Sequence, residues 1–260
     1  MKMTIALTHF SPTLNVFENL VRMKRLISKA KENDIIVMPE GCLSGYNESL
    51  SFLNSSVAFH IESSLEQLQS IVDEKNIHLI FGSCILEKGS WYNAGIYMAP
   101  HRIRFIYKKV NLAFHEREYL QSGNELSCFR LHQGDLSITA SIQLCREIRF
   151  PEQWKALAQE GSQITFYLTN VTNSDNLLVW NAHLISRAAE NQRFLVSSNI
   201  SHPEQGCSSM VISPFGNIIK KLPADIDSIE RISIDLNENS NWYLSQTRRD
   251  VVNIVTNLKN

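Results

Sequence analysis

Cys145 stands in Ser141-Ile142-Gln143-Leu144-Cys145-Arg146-Glu147, where an apolar strand pattern stops and a helix is about to begin. The carboxyl end of a core strand, beside an opening helix, is where open α/β sheets place ligands and chemistry. A helix amino terminus there favours thiolate over thiol, and the thiolate is the nucleophile. Two other strand ends carry reactive groups. In Val37-Met38-Pro39-Glu40-Gly41, Pro39 stops the ladder and leaves Glu40 at the sheet's carboxyl edge. Tyr107-Lys108-Lys109-Val110-Asn111-Leu112 is a strand running into a polar loop. Together they form a covalent-catalysis set: the thiol attacks, a carboxylate moves protons and an ammonium stabilises developing negative charge. Each also has a plain structural reading. A cysteine after an apolar run packs in a core, a glutamate caps a loop, and a lysine solvates a strand end. Separations of 69 and 36 residues along the chain do not by themselves bring the three together.

Other chemistries find less support. A cysteine-protease arrangement needs a histidine base, and none of the eight histidines, His115, His183 and His202 among them, has a context that singles it out. No two histidines have the helical spacing of a metal site, and the cysteines Cys42, Cys84, Cys128, Cys145 and Cys207 never form Cys-x-x-Cys, so neither zinc nor a disulfide framework is expected. The Gly-x-Ser-x-Gly elbow is missing, as are Gly-x-Gly-x-x-Gly and a phosphate-binding loop, so no nucleotide cofactor is expected.

The elements that must carry these residues alternate between short β-rich runs and longer helical ones. Met1 to Thr8, Asp34 to Met38, His78 to Phe81, Ile138 to Leu144, Ile164 to Leu168, Phe194 to Ser198 and Met210 to Ile212 read as strands. Val16, Leu20, Met23, Ile27 and Ala30 make one apolar helical face, opened by Asn15 and Glu18 as a capping box. Ser63 and Glu66 repeat that signal ahead of Leu65, Leu68 and Val72, and Leu177, Trp180, Leu184 and Ala188 mark a third helix. Trp91 to Met98 and Ile103 to Lys108 form a hairpin around Ala99-Pro100-His101-Arg102, and Ser213 to Asn217 turns between two late strands. Arg149 is expected to anchor a helix start. Such alternation predicts a mixed sheet covered by helices, and residues 1–260 read as one domain.

Composition is that of a globular protein, 43% hydrophobic and 20% charged with a net charge of -1. That balance gives no footprint for nucleic acid or for anionic lipid. There is no apolar run of spanning length and the amino terminus lacks a signal peptide's apolar stretch, so a cytoplasmic location is expected.

Taken in order, these segments resemble the nitrilase, or carbon–nitrogen hydrolase, superfamily. Met38-Pro39-Glu40 is similar to its glutamate motif, Tyr107 to Leu112 to its lysine motif, and Cys145-Arg146-Glu147-Ile148-Arg149-Phe150-Pro151-Glu152 to its nucleophile motif. Trp180 with Arg187 to Gln192, and Ser208 to Gly216, extend the match. The resemblance implies an α/β fold, an α-β-β-α sandwich with mixed sheets that pairs into a homodimer through a helical face, without a cofactor. It selects Glu40, Lys109 and Cys145 as catalytic residues. Glu116 is then a second glutamate that holds Lys109 or orients the substrate amide, and Asn170 lies in Thr169-Asn170-Val171-Thr172-Asn173, where relatives place a substrate-pocket wall containing proline. The implied reaction forms a thioester on Cys145 from a small amide, its oxyanion met by Lys109 and the Arg146 amide. Burial would raise Glu40 and Lys109 would depress Cys145. Nitrilases proper carry Trp-Glu after the cysteine; Arg146-Glu147 resembles the amidase branches. Arg146 either meets a substrate carboxylate or carbamoyl group or forms a salt bridge with Glu147 or Glu152. Asn111 replaces a usual histidine, and Gln121-Ser122 a usual proline before Gly123, which puts loop geometry in question. The loops Asn47 to Ser56 and Val171 to Asn176 are expected to shape the pocket. The competing reading is a catalytically silent member that binds a metabolite or a protein.

Overall fold

The computed structural model describes residues 1–172, 177–201, 207–223 and 228–247. Two six-stranded sheets lie face to face. The first holds β1 (Lys2–His9), β2 (Ile35–Val37), β3 (His78–Glu87), β4 (Ser90–Ala99), β5 (Ile103–Lys108) and β12 (Ser228–Asp235), in the order β12-β1-β2-β3-β4-β5. The second holds β6 (Cys128–Gln133), β7 (Leu136–Leu144), β8 (Ile164–Thr169), β9 (Phe194–Asn199), β10 (Met210–Ile212) and β11 (Ile218–Lys221), in the order β11-β10-β9-β8-β7-β6. Each sheet is mixed, with three parallel strands at its centre: β1, β2 and β3 in one, β7, β8 and β9 in the other. Strands covered on both faces read as unbroken apolar runs, which is why Ile35-Ile36-Val37 lacks alternation.

Strand parity assigns the layers. Met3, Ile5 and Leu7 of β1 meet Ile138, Ala140, Ile142 and Leu144 of β7 in the core between the sheets. Ala6, Ile36, Leu79 and Phe81 face outward onto α1 (Val16–Ile27) and α2 (Ser55–Lys75). Tyr167, Leu195, Met210 and Ile212 face outward from the second sheet onto α3 (Pro151–Gln159) and α4 (Leu177–Asn191). The α-β-β-α sandwich implied by the motifs is the observed architecture. Gly95, on the inner face of β4, marks a close approach of the two sheets: a Cβ there would sit 2.4 Å from Ile142 Cγ2.

Two helix starts differ from expectation. Asn15 caps α1, accepting from the Phe17 and Glu18 amides, but the reciprocal half of the capping box is not made. Thr13 Oγ1 takes the Asn15 amide, and the Glu18 carboxylate accepts from that same hydroxyl. Ser63 does not open a helix. Asn54 caps α2 two turns earlier, accepting from the Ser56 and Val57 amides, and Glu66 points outward to Arg102. Among the described residues no helix is long and apolar enough to cross a membrane.

Candidate active site

Three chain segments converge at one end of the inter-sheet core. Glu40 follows β2 and Pro39 in a tight turn, with the Gly82 amide bonded to Pro39 O at 3.0 Å. β3 passes so close that a Cβ on Gly82 would lie 2.5 Å from Glu40 Cα, so the glycine is what lets the glutamate loop seat. Lys109 follows β5 and is fixed through its backbone, its amide donating to Asn93 O and its carbonyl accepting from the Gly123 amide, both at 2.8 Å. The substituted lysine loop therefore keeps Gly123 against the chain despite losing the usual proline. Glu116 comes from a 3-10 turn, Phe114–Glu118, which presents its carboxyl inward.

These side chains meet without water access: Glu40, Lys109 and Glu116 are each 0% exposed. Lys109 Nζ donates to Glu40 Oε1 at 3.1 Å and to Glu116 Oε1 at 2.9 Å. Glu116 Oε1 also accepts from Tyr46 Oη at 2.7 Å, and its Oε2 accepts from the Ala113 amide. Asn93 belongs to no motif of the sequence, yet its Nδ2 donates to Glu40 Oε1 at 2.8 Å and to Glu116 Oε1 at 2.7 Å. Glu40 Oε2 is buried and has no hydrogen-bond partner.

Two carboxylates sharing one ammonium are driven apart in proton affinity. Burial raises Glu40, the negative charge of Glu116 adds to that, and Lys109 offsets only part. Burial would raise Glu116 as well, but Lys109, Tyr46 and the Ala113 amide hold it below the usual carboxylate range. Lys109 is pushed upward, because the two carboxylates outweigh its own burial, and stays an ammonium.

Cys145 opens a second 3-10 turn, Cys145–Arg149, between β7 and α3. Its φ of 33° lies in the left-handed region, a strained conformation for a side chain of this kind. Side chains of neighbouring elements hold the turn through its carbonyls. Tyr167 Oη donates to Cys145 O at 2.7 Å, Trp154 Nε1 to Glu147 O at 2.9 Å, and Arg187 Nε to Ile148 O at 3.0 Å. The thiol differs from expectation. Burial, then the Glu40 carboxylate, push it up to about 12, and Lys109 lowers it only in part. At rest the sulfur is a thiol, so a base must take its proton during attack.

Glu147 makes no salt bridge with Arg146. It is buried, accepting from Tyr107 Oη at 2.7 Å, the Val110 amide at 2.8 Å and the Asn111 amide at 3.2 Å on Oε1, and from the Leu144 amide at 2.8 Å on Oε2. One carboxylate thus ties the lysine loop to the strand that ends in Cys145. The cue was its position two residues after the cysteine, but the sequence does not say which way the side chain turns.

Above Cys145 opens a cavity of about 360 Å³ whose lining includes Tyr46, Glu48, His115, Arg146, Arg149 and Asn170. Arg146 forms no ion pair among the described residues, neither with Glu147 nor with Glu152. Arg149, two residues before α3, lies over the ring of Trp180 in the first turn of α4, 5.9 Å from its centroid. His115 hydrogen-bonds Tyr46 Oη at 3.0 Å. The Val171 backbone is clamped by the Asn199 amide, which donates to Val171 O at 3.0 Å and accepts from its N–H at 2.9 Å. Of the expected pocket loop, 173–176 lie outside the described residues, as does His202. Larger clefts of about 750 and 640 Å³ run along the short helix α5 (Trp242–Ser245), and no cysteine is among their lining residues.

Residues 4–243 match the carbon-nitrogen hydrolase family. The chain belongs to that family. Its relatives include an (R)-stereoselective amidase of Pseudomonas sp, 27% identical with 89% of this chain and 82% of the relative aligned, and the 2-oxoglutaramate amidase of Bacillus subtilis, 28% identical with 92% and 93% aligned. Among solved structures, a double mutant of the amidase from Nesterenkonia sp. AN1, in complex with acrylamide, superposes with a TM-score of 0.80 at 21% identity, covering 95% of this chain and 94% of that one. A nitrilase-superfamily member from Saccharomyces cerevisiae gives 0.75 at 19% identity, covering 96% of each. These likenesses carry the sandwich fold. Within the matched residues, Glu40 and Lys109 meet in the buried cluster and Cys145 lies in the lining of the cavity.

Proposed function

We propose that this carbon–nitrogen hydrolase cleaves a small amide or N-carbamoyl compound through a thioester on Cys145, with Glu40 as general base and Lys109 as oxyanion stabiliser. The observation that carries this reading is the buried Glu40–Lys109–Glu116 cluster, electrostatically coupled to a thiol at the floor of a cavity. Glu40 Oε2, which has no partner, takes the Cys145 proton as the sulfur bonds to the carbonyl carbon. Lys109 has three N–H donors, two of them given to carboxylates, and the third meets the oxyanion. Collapse of the tetrahedral intermediate breaks the C–N bond. Glu40 hands its proton to the departing amine and leaves a thioester. Glu40 then draws a proton from water, whose oxygen adds to the thioester carbonyl, and the proton returns to sulfur as the acid leaves. The raised affinity of Glu40 suits this work, since a carboxylate of ordinary strength is a poor base for a thiol near 12.

Arg146 supports an amide carrying a carboxylate or carbamoyl group, since its guanidinium faces the cavity without an ion-pair partner among the described residues. Asn170 lines the same space and Glu116 acts by holding Lys109. Exposed Leu178 and Val179 on α4 support association into a homodimer through a helical face, read by light scattering. Ammonia release from succinamate, propionamide, N-carbamoylglycine and propionitrile tests the reaction. The expected result is turnover of an amide or carbamoyl compound that is lost in Cys145→Ala; full activity in that variant would end the proposal, and no turnover of any of these compounds by wild type would favour a silent binding protein. Arg146→Ala should lower kcat/KM for succinamate by roughly 10- to 100-fold while sparing propionamide.

A further inference from the structure

We propose that Asn93 is a positioning residue for the proposed reaction: by donating to both carboxylates it fixes which oxygen of Glu40 receives the proton. This rests on the amidase reading of the same site. Asn93 lies on β4, on the inward face shared with Gly95 and Tyr97, and is 1% exposed. Its two N–H bonds, at 2.8 and 2.7 Å, end on the same two oxygens that Lys109 contacts, Glu40 Oε1 and Glu116 Oε1. Glu40 Oε1 therefore receives two donors, one charged and one neutral. Two donors, one of them charged, make Oε1 the less basic oxygen of the pair. Glu40 Oε2, buried and without a partner, is left as the proton's seat.

The residue type follows from the task. The site needs two donors on one short arm, and those donors must be uncharged. A second lysine would add positive charge beside Glu40 and weaken the base. Serine has one donor, and glutamine is longer by a methylene in a place with no spare room. Asn93 Oδ1 is itself buried and without a partner, so the amide cannot be flipped to advantage: the reverse orientation would aim an oxygen at two carboxylates. That orphan oxygen is a cost the fold accepts to keep both donors on the carboxylates. The backbone of Asn93 adds to this role, because its carbonyl accepts from the Lys109 amide at 2.8 Å.

The test compares Asn93→Asp, Asn93→Ser and wild type, with Cys145→Ala as control. Asn93→Asp keeps the shape but replaces the donor group with a third carboxylate; Asn93→Ser keeps one donor. Two readouts are taken across pH 4 to 10: ammonia release from succinamate or propionamide, and the rate of Cys145 alkylation by iodoacetamide, located by mass spectrometry. At pH 7 kcat should fall roughly 10- to 100-fold in Asn93→Asp, and by less in Asn93→Ser, with KM within about threefold of wild type. In both variants the acidic limb of the alkylation and turnover profiles should move upward, by about one pH unit or more in Asn93→Asp. A purely structural role would lower Tm and leave the limb in place. Folded variants with an unmoved limb overturn the proposal, and so does failure of both variants to fold. Turnover that persists in Cys145→Ala sinks the Cys145 thioester reading instead. The alkylation profile would still report whether Asn93 governs the carboxylate cluster.

Discussion

Replacing Glu40 by Gln separates the two things its carboxylate does, because the change is isosteric and removes charge. The amide oxygen of the introduced glutamine can still accept from Lys109 and Asn93, and the new NH₂ takes the place of Oε2, which makes no hydrogen bond. Lys109 keeps Glu116 as its counter-charge at 2.9 Å. The fold should therefore survive. Amide turnover loses its base for the thiol and for water, and general-base catalysis is worth about 10²- to 10⁴-fold, roughly 3 to 5 kcal/mol of barrier. The thiol responds in the opposite sense. Glu40 is the second largest influence raising Cys145, after burial, so removing it lowers the thiol from its value of about 12. In wild type, alkylation by iodoacetamide should rise on an acidic limb above the ordinary glutamate range and then level off, because Glu40 supplies the base. In Glu40→Gln it should be slower at pH 7 but climb about tenfold per pH unit through the thiol range, since hydroxide must now remove the proton. Turnover should not recover with that climb. Selectivity of labelling alone decides little, because Cys42, Cys84 and Cys207 are buried and would resist the reagent in any case. A variant that kept more than a tenth of wild-type kcat/KM, or whose alkylation profile matched wild type, would refute the assignment of Glu40 as the base.

Lys109→Met leaves two buried carboxylates without a cation and should cost about 3 to 5 kcal/mol, read as a lower Tm or denaturant midpoint. That deficit should shrink at acid pH. Without Lys109 the two carboxyls have raised folded-state affinities, so the variant's stability is fullest below the ordinary glutamate pKa and is lost as pH rises through the raised values. A deficit independent of pH between 4 and 8 would count against the cluster's electrostatics. Glu147→Gln sets an NH₂ against either the Leu144 amide or the donors of Val110 and Asn111, and should cost about 1 to 3 kcal/mol. Its kcat should fall with KM little changed, since the lysine loop and the cysteine turn lose their common anchor; steady-state kinetics beside a thermal melt would check this.

How far the sequence reached can be read residue by residue. The parallel strands were legible because Ile35-Ile36-Val37 and Ile164 to Leu168 are apolar on both faces, and only a doubly covered strand tolerates that. Glu40, Lys109 and Cys145 were legible as strand-end residues in family order. Asn93 was not, because an asparagine inside a strand reads as a polar position on a pleat, and only the register of β4 against β5 aims it at two carboxylates. Ser63 and Glu66 misled for a related reason: a capping pattern has the same letters in mid-helix, and Asn54 already met the free amides. The sign of the thiol shift was out of reach as well. A neighbouring lysine can be inferred from a motif, whereas the burial that outweighs it depends on how tightly two sheets close over the site.

That burial also explains how a cysteine could work here without a histidine. In a wet site a carboxylate of ordinary affinity leaves the thiol protonated, and an imidazole is the better base. Enclosure changes the balance by raising Glu40, yet it raises Cys145 too, so burial alone gains nothing. The gain comes from asymmetry. Lys109 keeps its charge beside both acids, Glu116 is held ionised by Tyr46 and the Ala113 amide, and Glu40 is left as the acid that can accept a proton. A proton moving from Cys145 to Glu40 places negative charge on sulfur and then on the carbonyl oxygen while removing it from the carboxylate, so the charge near Lys109 is relocated rather than increased. Such a transfer needs little reorganisation in a dry site, which is the setting where fixed donors are most effective. The second glutamate is therefore expected to matter through the charge it keeps: Glu116 holds Lys109 in place while Glu40 cycles between carboxylate and acid.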